Sequence, residues 1–270
     1  MTRRLLLLPA CLFALVFVAW PLVEVVRLSL IRTNFVSTRW VGLANFAALL
    51  RDGPFLRSLG NSVFYALLLI PLQTGVALIA ALTVHDLPKR WHDAVRIVFY
   101  LPMLAAGIII AQVWRWIFHI RGPINWLLGA EIAWFAQGAT GIPAVTMIVA
   151  AVGIGGNMIV ILAALLSIDR SLFDAARIDG ASGFQTRWFI MVPIIWPTLL
   201  VLALLAAISA PQVFETIYAL APYEHTATVT FHIYREGFHM GRYGTAAAQA
   251  IVLCVLTLLM SWAKTKASHA

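Results

Sequence analysis

Charge is scarce in this chain: 11% of its 270 residues are Asp, Glu, Lys or Arg, while 62% are hydrophobic and the mean hydropathy is +0.91. A soluble globular domain is about half apolar and about a quarter charged, so that class is excluded. Cysteine is nearly missing. Cys11 and Cys254 both lie in apolar runs, which excludes a disulfide framework and points to no thiol chemistry. No low-complexity linker, tandem repeat or charge block divides residues 1–270, so they read as one domain. There is no G-x-x-x-x-G-K-[ST] loop, so the chain has no phosphate cradle of its own, and no H-E-x-x-H, which weakens an intramembrane metalloprotease.

What is present is long apolar sequence. A membrane-crossing helix needs about 20 mostly apolar residues. Six runs meet that length: 5–30, 62–84, 97–118, 143–168, 197–220 and 244–263. Nothing alternates as a membrane barrel strand would, so the expectation is an all-α integral-membrane bundle of about six spans. Met1-Thr2-Arg3-Arg4 precedes the first run, but the run outlasts a signal-peptide core and lacks a small-residue cleavage site, so it is read as a retained span. The formal net charge of +8 is scattered through short loops, which suits lipid headgroups better than a nucleic-acid stripe. Arg3 and Arg4 flank the first run and Lys264 and Lys266 the last, which predicts an even span count with both termini cytoplasmic.

Between the fourth and fifth runs lies a polar island carrying Asp169, Arg170, Asp174, Arg177 and Asp179. Charges at that density are excluded from hydrocarbon, so the segment faces water or a partner. Residues 167–179 suit about three helical turns. Leu172, Phe173, Ala176 and Ile178 offer apolar surface, while Arg170–Asp174 and Asp174–Arg177 have the spacing to pair along one side. Gly180 permits a sharp bend at positive φ. Helix, bend and second helix make a blunt projection, either a solvated loop or a plug for a groove in another protein.

Polar side chains within the runs are Gln73, Gln112, Asn157, Gln212, Glu215 and Tyr218. Each either bonds one helix to another or lines a wet path. Glu215 falls near the end of its run. The stretch Gly153-Ile154-Gly155-Gly156-Asn157 sits inside the fourth run and reads as close helix packing or local unwinding. His225, His232 and His239 recur every seven residues, which is about 10.5 Å along a helix and too far for neighbours to share a metal. They read as interfacial histidines. Most tryptophans lie near run ends and read as interface anchors.

Asp174-Ala175-Ala176-Arg177-Ile178-Asp179-Gly180-Ala181-Ser182, followed by Val192-Pro193 and Pro197, resembles the "EAA" loop of permease subunits in ATP-binding-cassette importers. Gly42-Leu43-Ala44-Asn45-Phe46, Leu101-Pro102, Gly122-Pro123-Ile124-Asn125-Trp126-Leu127-Leu128 and Phe214-Glu215-Thr216-Ile217-Tyr218 resemble elements of the carbohydrate-uptake branch, the maltose and glycerol-phosphate type. The chain departs from that pattern in three places. Asp174 replaces the usual Glu, Asp169 stands where a Pro often does, and Leu220-Ala221-Pro222 replaces Gly-Gly-Pro.

The resemblance implies a type I importer permease bundle in the cytoplasmic (inner) membrane, with a coupling loop over 168–196. It implies that Leu172, Phe173, Asp174, Ala175, Ala176, Asp179, Gly180 and Ala181 dock on an ATPase. Asn157, Gln212, Glu215 and Tyr218 then become candidates for a substrate path among the later spans. The implied partners are a second permease subunit, two ATPase subunits that bind ATP and Mg²⁺, and an extracytoplasmic substrate-binding protein. The chain itself would hold no cofactor or metal and perform no covalent chemistry. A sugar or sugar derivative is the expected cargo, with a polyamine or inorganic anion as the alternative. An integral-membrane enzyme would need a compact catalytic set, and a secondary transporter a carboxylate deep in a span.

Overall fold

A computed structural model describes residues 9–33, 37–105 and 107–267. Arg3, Arg4 and the opening of the first apolar run lie outside the described residues, as do the side chains of Lys89, Lys264 and Lys266. Among the described residues, five helices are long and apolar enough to cross a membrane: Pro9–Ser29, Gly53–His85, Gly138–Leu166, Gly183–Gln212 and Tyr243–Trp262. A further crossing is broken into Ala94–Leu104 and Gly107–Ile117, set 98° apart. The helical bundle expected from six runs is therefore present, with its third member interrupted. Pro102 opens the 3-10 turn Leu101–Leu104, and Ala105 then takes an extended backbone.

Helix ends differ from the apolar-run ends because polar caps, not hydropathy, set them. The second span begins at Gly53, where the Asp52 carboxylate accepts from the Phe55 amide at 3.2 Å. The fourth begins at Gly138 and carries Pro143 inside it. The fifth begins at Gly183, where Ser182 and Gln185 cap each other's backbone. A π-helical turn over Thr186–Met191 comes just before Pro193, which lacks a backbone donor. This span ends at Gln212, and the expected continuation to 220 is a separate short helix, Glu215–Leu220.

Alternating crossings place the 1–2, 3–4 and 5–6 connections at one end of the bundle and the 2–3 and 4–5 connections at the other. At the first end, Ile31–Thr33 and Thr38–Trp40 form an antiparallel hairpin. The buried Asn45 amide donates to the carbonyls of Ser29 (2.8 Å) and Ile31 (2.9 Å), so this segment is a staple on the first span rather than a simple interfacial turn. Asn125 plays the same part in the 3–4 connection, donating to the Ile120 and Ile132 carbonyls at 3.0 and 2.9 Å and accepting from the Trp134 indole at 2.9 Å. In the 5–6 connection, Asn61 of the second span donates to the carbonyls of Glu224, His225 and Ala227 at 3.4, 3.2 and 3.0 Å. The Tyr65 hydroxyl donates to the Thr226 carbonyl at 3.1 Å. These bonds hold the loop in which Leu-Ala-Pro stands for Gly-Gly-Pro.

The interior forms two buried apolar groups. Tyr65, Leu69, Val145, Ile148 and Ile217 lie toward the hairpin end, and Leu78, Met158, Ile161, Leu165 and Leu199 toward the other. The first span packs mainly along the last helix and, at its end, against the hairpin segment. Near the middle of the fourth span the glycine stretch stays helical, so close packing, not unwinding, is its role. A Cβ on Gly155 would overlap the Phe99 carbonyl, and one on Gly153 would overlap the Gln73 amide.

Gly155→Ala is therefore expected to destabilise the purified protein by about 1–3 kcal/mol, the usual scale of overpacking. Gly60→Ala, at a helix position where a Cβ meets nothing within 4 Å, should not. Thermal unfolding of both variants in detergent checks this, and equal midpoints would contradict the packing account.

Candidate functional site

The polar island folds as the helix Arg170–Ile178, closed at both ends. Asp169 caps its start, accepting from the Ser171 amide at 2.9 Å. Hydrogen bonds from the Ser171 amide and hydroxyl hold the Asp169 carboxyl below the usual carboxylate range. Aspartate can thus start the helix where the resembled family often has proline. At the other end Gly180 has φ 75°, its amide donates to the Arg177 carbonyl at 3.1 Å, and the Ala181 amide donates to the Ala176 carbonyl at 2.9 Å. These two bonds around a left-handed glycine make a Schellman cap. Ser182 then caps the fifth span, so the segment is a defined corner.

The helix has an anchored face and a free one. Phe173 packs on the inner apolar group with its ring 6.2 Å from that of His85, and Ala176 is buried. Ile178 is 87% exposed, with Leu172, Phe184 and Phe189 exposed beside it. Asp174, Ala175, Asp179 and Gly180 are exposed and Ala181 half-buried. Asp174 pairs with Arg177 at 3.5 Å, while among the described residues the Arg170–Asp174 pair does not form. An ion pair between Asp86 and Arg187 ties the 2–3 connection to the start of the fifth span. Behind the helix lies a cavity of about 700 Å³ lined by His85, Asp86, Arg170, Asp174, Arg177 and Arg187, among others. An exposed apolar tip with charges at its side, fixed to two spans, is shaped to seat in a groove.

Two polar side chains, Asn157 and Glu215, lie beside the break in the third span. Met103 lies against Gly156, beside half-buried Asn157. A few residues later, Gly107 lies directly against the Glu215 carboxylate. Glu215 follows the fifth span's end at Gln212, as its position in the apolar run suggested, and sits beside the start of the half-helix Gly107–Ile117. Gln212 is exposed and donates to the Ile208 carbonyl at 3.0 Å. Gln112 is exposed on the half-helix, and Gln73 is engaged against Gly153.

Tyr218 is 43% exposed and stacks on Phe214 at 5.6 Å. Tyr234 meets Phe214 and Tyr218 edge-on at 5.0 and 5.7 Å and stacks on Phe238 at 5.2 Å. Tyr234 and Phe238 were not singled out in the sequence as site residues. Their signal was the i, i+4 aromatic spacing they share with Phe214 and Tyr218. Such a strip of aromatic faces, amides and one carboxylate suits a polyhydroxylated ligand.

The histidines do not form one group. His225 stacks on Tyr223 at 5.2 Å, and His239 meets Tyr234 edge-on at 5.3 Å. His232 is buried, not interfacial, because protein partners replace water. Its Nδ1 accepts from the Arg235 guanidinium at 3.2 Å, and its Nε2 faces the Asp52 carboxylate at 4.0 Å.

The chain is 29% identical over 267 residues to the sn-glycerol-3-phosphate transport system permease protein UgpA of Agrobacterium fabrum, covering 95% of this chain and 91% of that one. It is 25% identical over 266 residues to the lactose transport system permease protein LacF of Rhizobium radiobacter, covering 94% and 89%. Its fold matches a chain of the crystal structure of a bacterial ABC transporter involved in the import of the acidic polysaccharide alginate. That match has a TM-score of 0.86 at 25% identity and covers 99% of this chain and 95% of that one. The sequence pattern of the binding-protein-dependent transport system inner membrane component matches residues 41–266, and the chain belongs to that family of multi-pass inner-membrane permeases, transport components and not enzymes.

Proposed function

We propose that this chain is the permease subunit of an ATP-driven importer that carries a sugar or sugar derivative across the inner membrane by alternating access. The observation that carries this reading is the corner over 169–182, a helix capped at both ends and fastened to two spans, with Ile178 and Leu172 left uncovered. In family terms it is the coupling segment. Its exposed residues Leu172, Asp174, Ala175, Asp179 and Gly180 would sit against an ATPase, while Phe173, Ala176 and Ala181 hold it to the bundle. Two ATPase subunits would bind and hydrolyse ATP with Mg²⁺, for which this chain has no phosphate loop. A second permease subunit would complete the pore, and an extracytoplasmic binding protein would deliver cargo to the hairpin end. A bacterial alginate ABC transporter has been crystallised in complex with an alginate pentasaccharide-bound periplasmic protein, which supports a binding-protein partner here. Relatives named for lactose and glycerol phosphate support a carbohydrate cargo over a polyamine or inorganic anion. Asn157, Gln212, Glu215 and Tyr218 are the residues proposed to meet it.

This reading puts the 4–5 corner and both termini in the cytoplasm and the Ile31–Trp40 hairpin outside. With Cys11 and Cys254 replaced by serine, Ser37→Cys should label with an impermeant thiol reagent in intact cells and Ser171→Cys should not. Labelling of Ser171→Cys from outside would reverse the orientation and end the coupling role.

Gly180→Val should strain the left-handed cap by about 1–3 kcal/mol, and Asp174→Lys should reverse a charge on the exposed face. Both variants are expected to reach the membrane but to lose uptake and cargo-stimulated ATPase activity in proteoliposomes holding the whole complex. Normal uptake by both would show that motion is transmitted elsewhere.

A further inference from the structure

The cavity of about 700 Å³ behind the Arg170–Ile178 helix stands where three spans end. The second span stops at His85, the fourth at Leu166, and the fifth begins at Gly183, and all three residues line it. The fourth span, 29 residues from Gly138, is about 44 Å long. A bilayer with both headgroup layers is roughly 40–45 Å thick, so the ends of this span, and the cavity with them, lie at headgroup level. Arg170, Asp174 and Arg177 follow at i, i+4 and i+7, which turns all three toward the cavity from one face of the helix. Arg187 lines it from the fifth span. The charges do not balance. Arg177 pairs with Asp174 at 3.5 Å and Arg187 with Asp86, whose other carboxylate oxygen lies 3.4 Å from His85 Nδ1. Arg170 has no ion pair among the described residues, because Asp174 has turned to Arg177. Asp169, its neighbour, caps the helix and is not on the cavity wall. Three guanidinium groups against two carboxylates leave one positive charge uncompensated.

We infer that this cavity holds the headgroup of an anionic phospholipid, a singly charged phosphodiester of the phosphatidylglycerol kind. One phosphodiester supplies the one negative charge that the wall lacks. A guanidinium carries five N–H donors, and each of the two ion pairs engages one nitrogen, so Arg177 and Arg187 keep donors for the phosphate that Arg170 meets. The rest of the wall favours a lipid over a soluble phosphate. Leu87 and Leu166, 37% and 48% exposed, line the same cavity with Phe173, and such surface is covered by acyl chain but not by a bare anion. Basic pockets between membrane helices take lipid headgroups by this combination of charge and apolar contact. The headgroup would join the corner helix, through Arg170 and Arg177, to the fifth span, through Arg187. The exposed tip at Ile178 points away from this contact and stays free for an ATPase, and the lipid site does not depend on which cargo is carried.

The test is photo-crosslinking of the assembled complex in phosphatidylcholine nanodiscs doped with a photoactivatable phosphatidylglycerol, its reactive group high in one acyl chain. Adducts are mapped to peptides of this chain by mass spectrometry. Labelling is expected within residues 165–191, saturating with dose, and a phosphatidylcholine probe with the same reactive chain should label there at least fivefold less. Arg170→Gln removes the uncompensated charge without breaking an ion pair. It should lower the apparent affinity of the phosphatidylglycerol probe by about fivefold, the scale for one basic side chain at an anionic headgroup layer. Arg170→Gln with Arg177→Gln should lower it further. Arg39→Gln, exposed in the hairpin at the opposite end, should label as wild type. Millimolar inorganic phosphate should not displace the probe. Should the double variant fail to assemble, Arg170→Gln and the two lipid probes still decide. The lipid site is overturned if the phosphatidylcholine probe labels these residues equally, or if Arg170→Gln keeps the wild-type affinity. Displacement by inorganic phosphate would overturn it in favour of a soluble anion.

Discussion

Inside hydrocarbon, backbone that leaves the helix has to be covered by protein, because no water is there to satisfy it. The third span leaves the helix between Leu104 and Gly107, and just ahead of that break it lies against the glycine stretch of the fourth span. The Phe99 carbonyl rests on Gly155, where a side chain would overlap it, and Met103 lies against Gly156. The remaining polar geometry follows from that approach. Gly107 reaches Glu215, the half-helix Gly107–Ile117 runs beside Glu215–Leu220, and Asn157 and Glu215 end up on either side of the same break.

The same two spans that frame this region carry the corner at the opposite end. The fourth runs from the glycine stretch to the Asp169 cap, and the fifth runs from the Ser182 cap to Gln212. A helix is stiff along its axis, so a displacement of Arg170–Ile178 is passed to both spans. The Schellman cap at Gly180 makes the corner stiff, and the Asp86–Arg187 ion pair adds the second span to the unit. The proposed coupling rests on this arrangement: a fastened corner on one face, a broken and hydrophilic region deeper in, and two continuous helices between them.

Much of this was legible in the sequence, for identifiable reasons. The spans showed because length and hydropathy are what the bilayer demands. The corner showed because five charges inside a strongly apolar chain, followed by a glycine, leave few alternatives to a water-facing helix and bend. Hydropathy missed two kinds of feature. It averages over a break, so residues 97–118 read as one run although Pro102 and an extended Ala105 split them. It also runs on past a span's end, so 197–220 read as one run although the span ends at Gln212 and Glu215 opens a separate short helix beside Gly107, more than a hundred residues earlier in the chain. The aromatic strip and the buried partners of His232 depend on the same kind of distant contact, which spacing alone does not encode.

The central claim is that the corner at 169–182 docks on an ATPase. The most direct measurement is site-specific photo-crosslinking in membranes holding the whole complex, with the probe at Ile178 on the exposed tip or at Trp126 on the opposite face, 83% exposed. The account predicts an ATPase adduct from position 178 and none from 126. An adduct from 126 with none from 178 would contradict it.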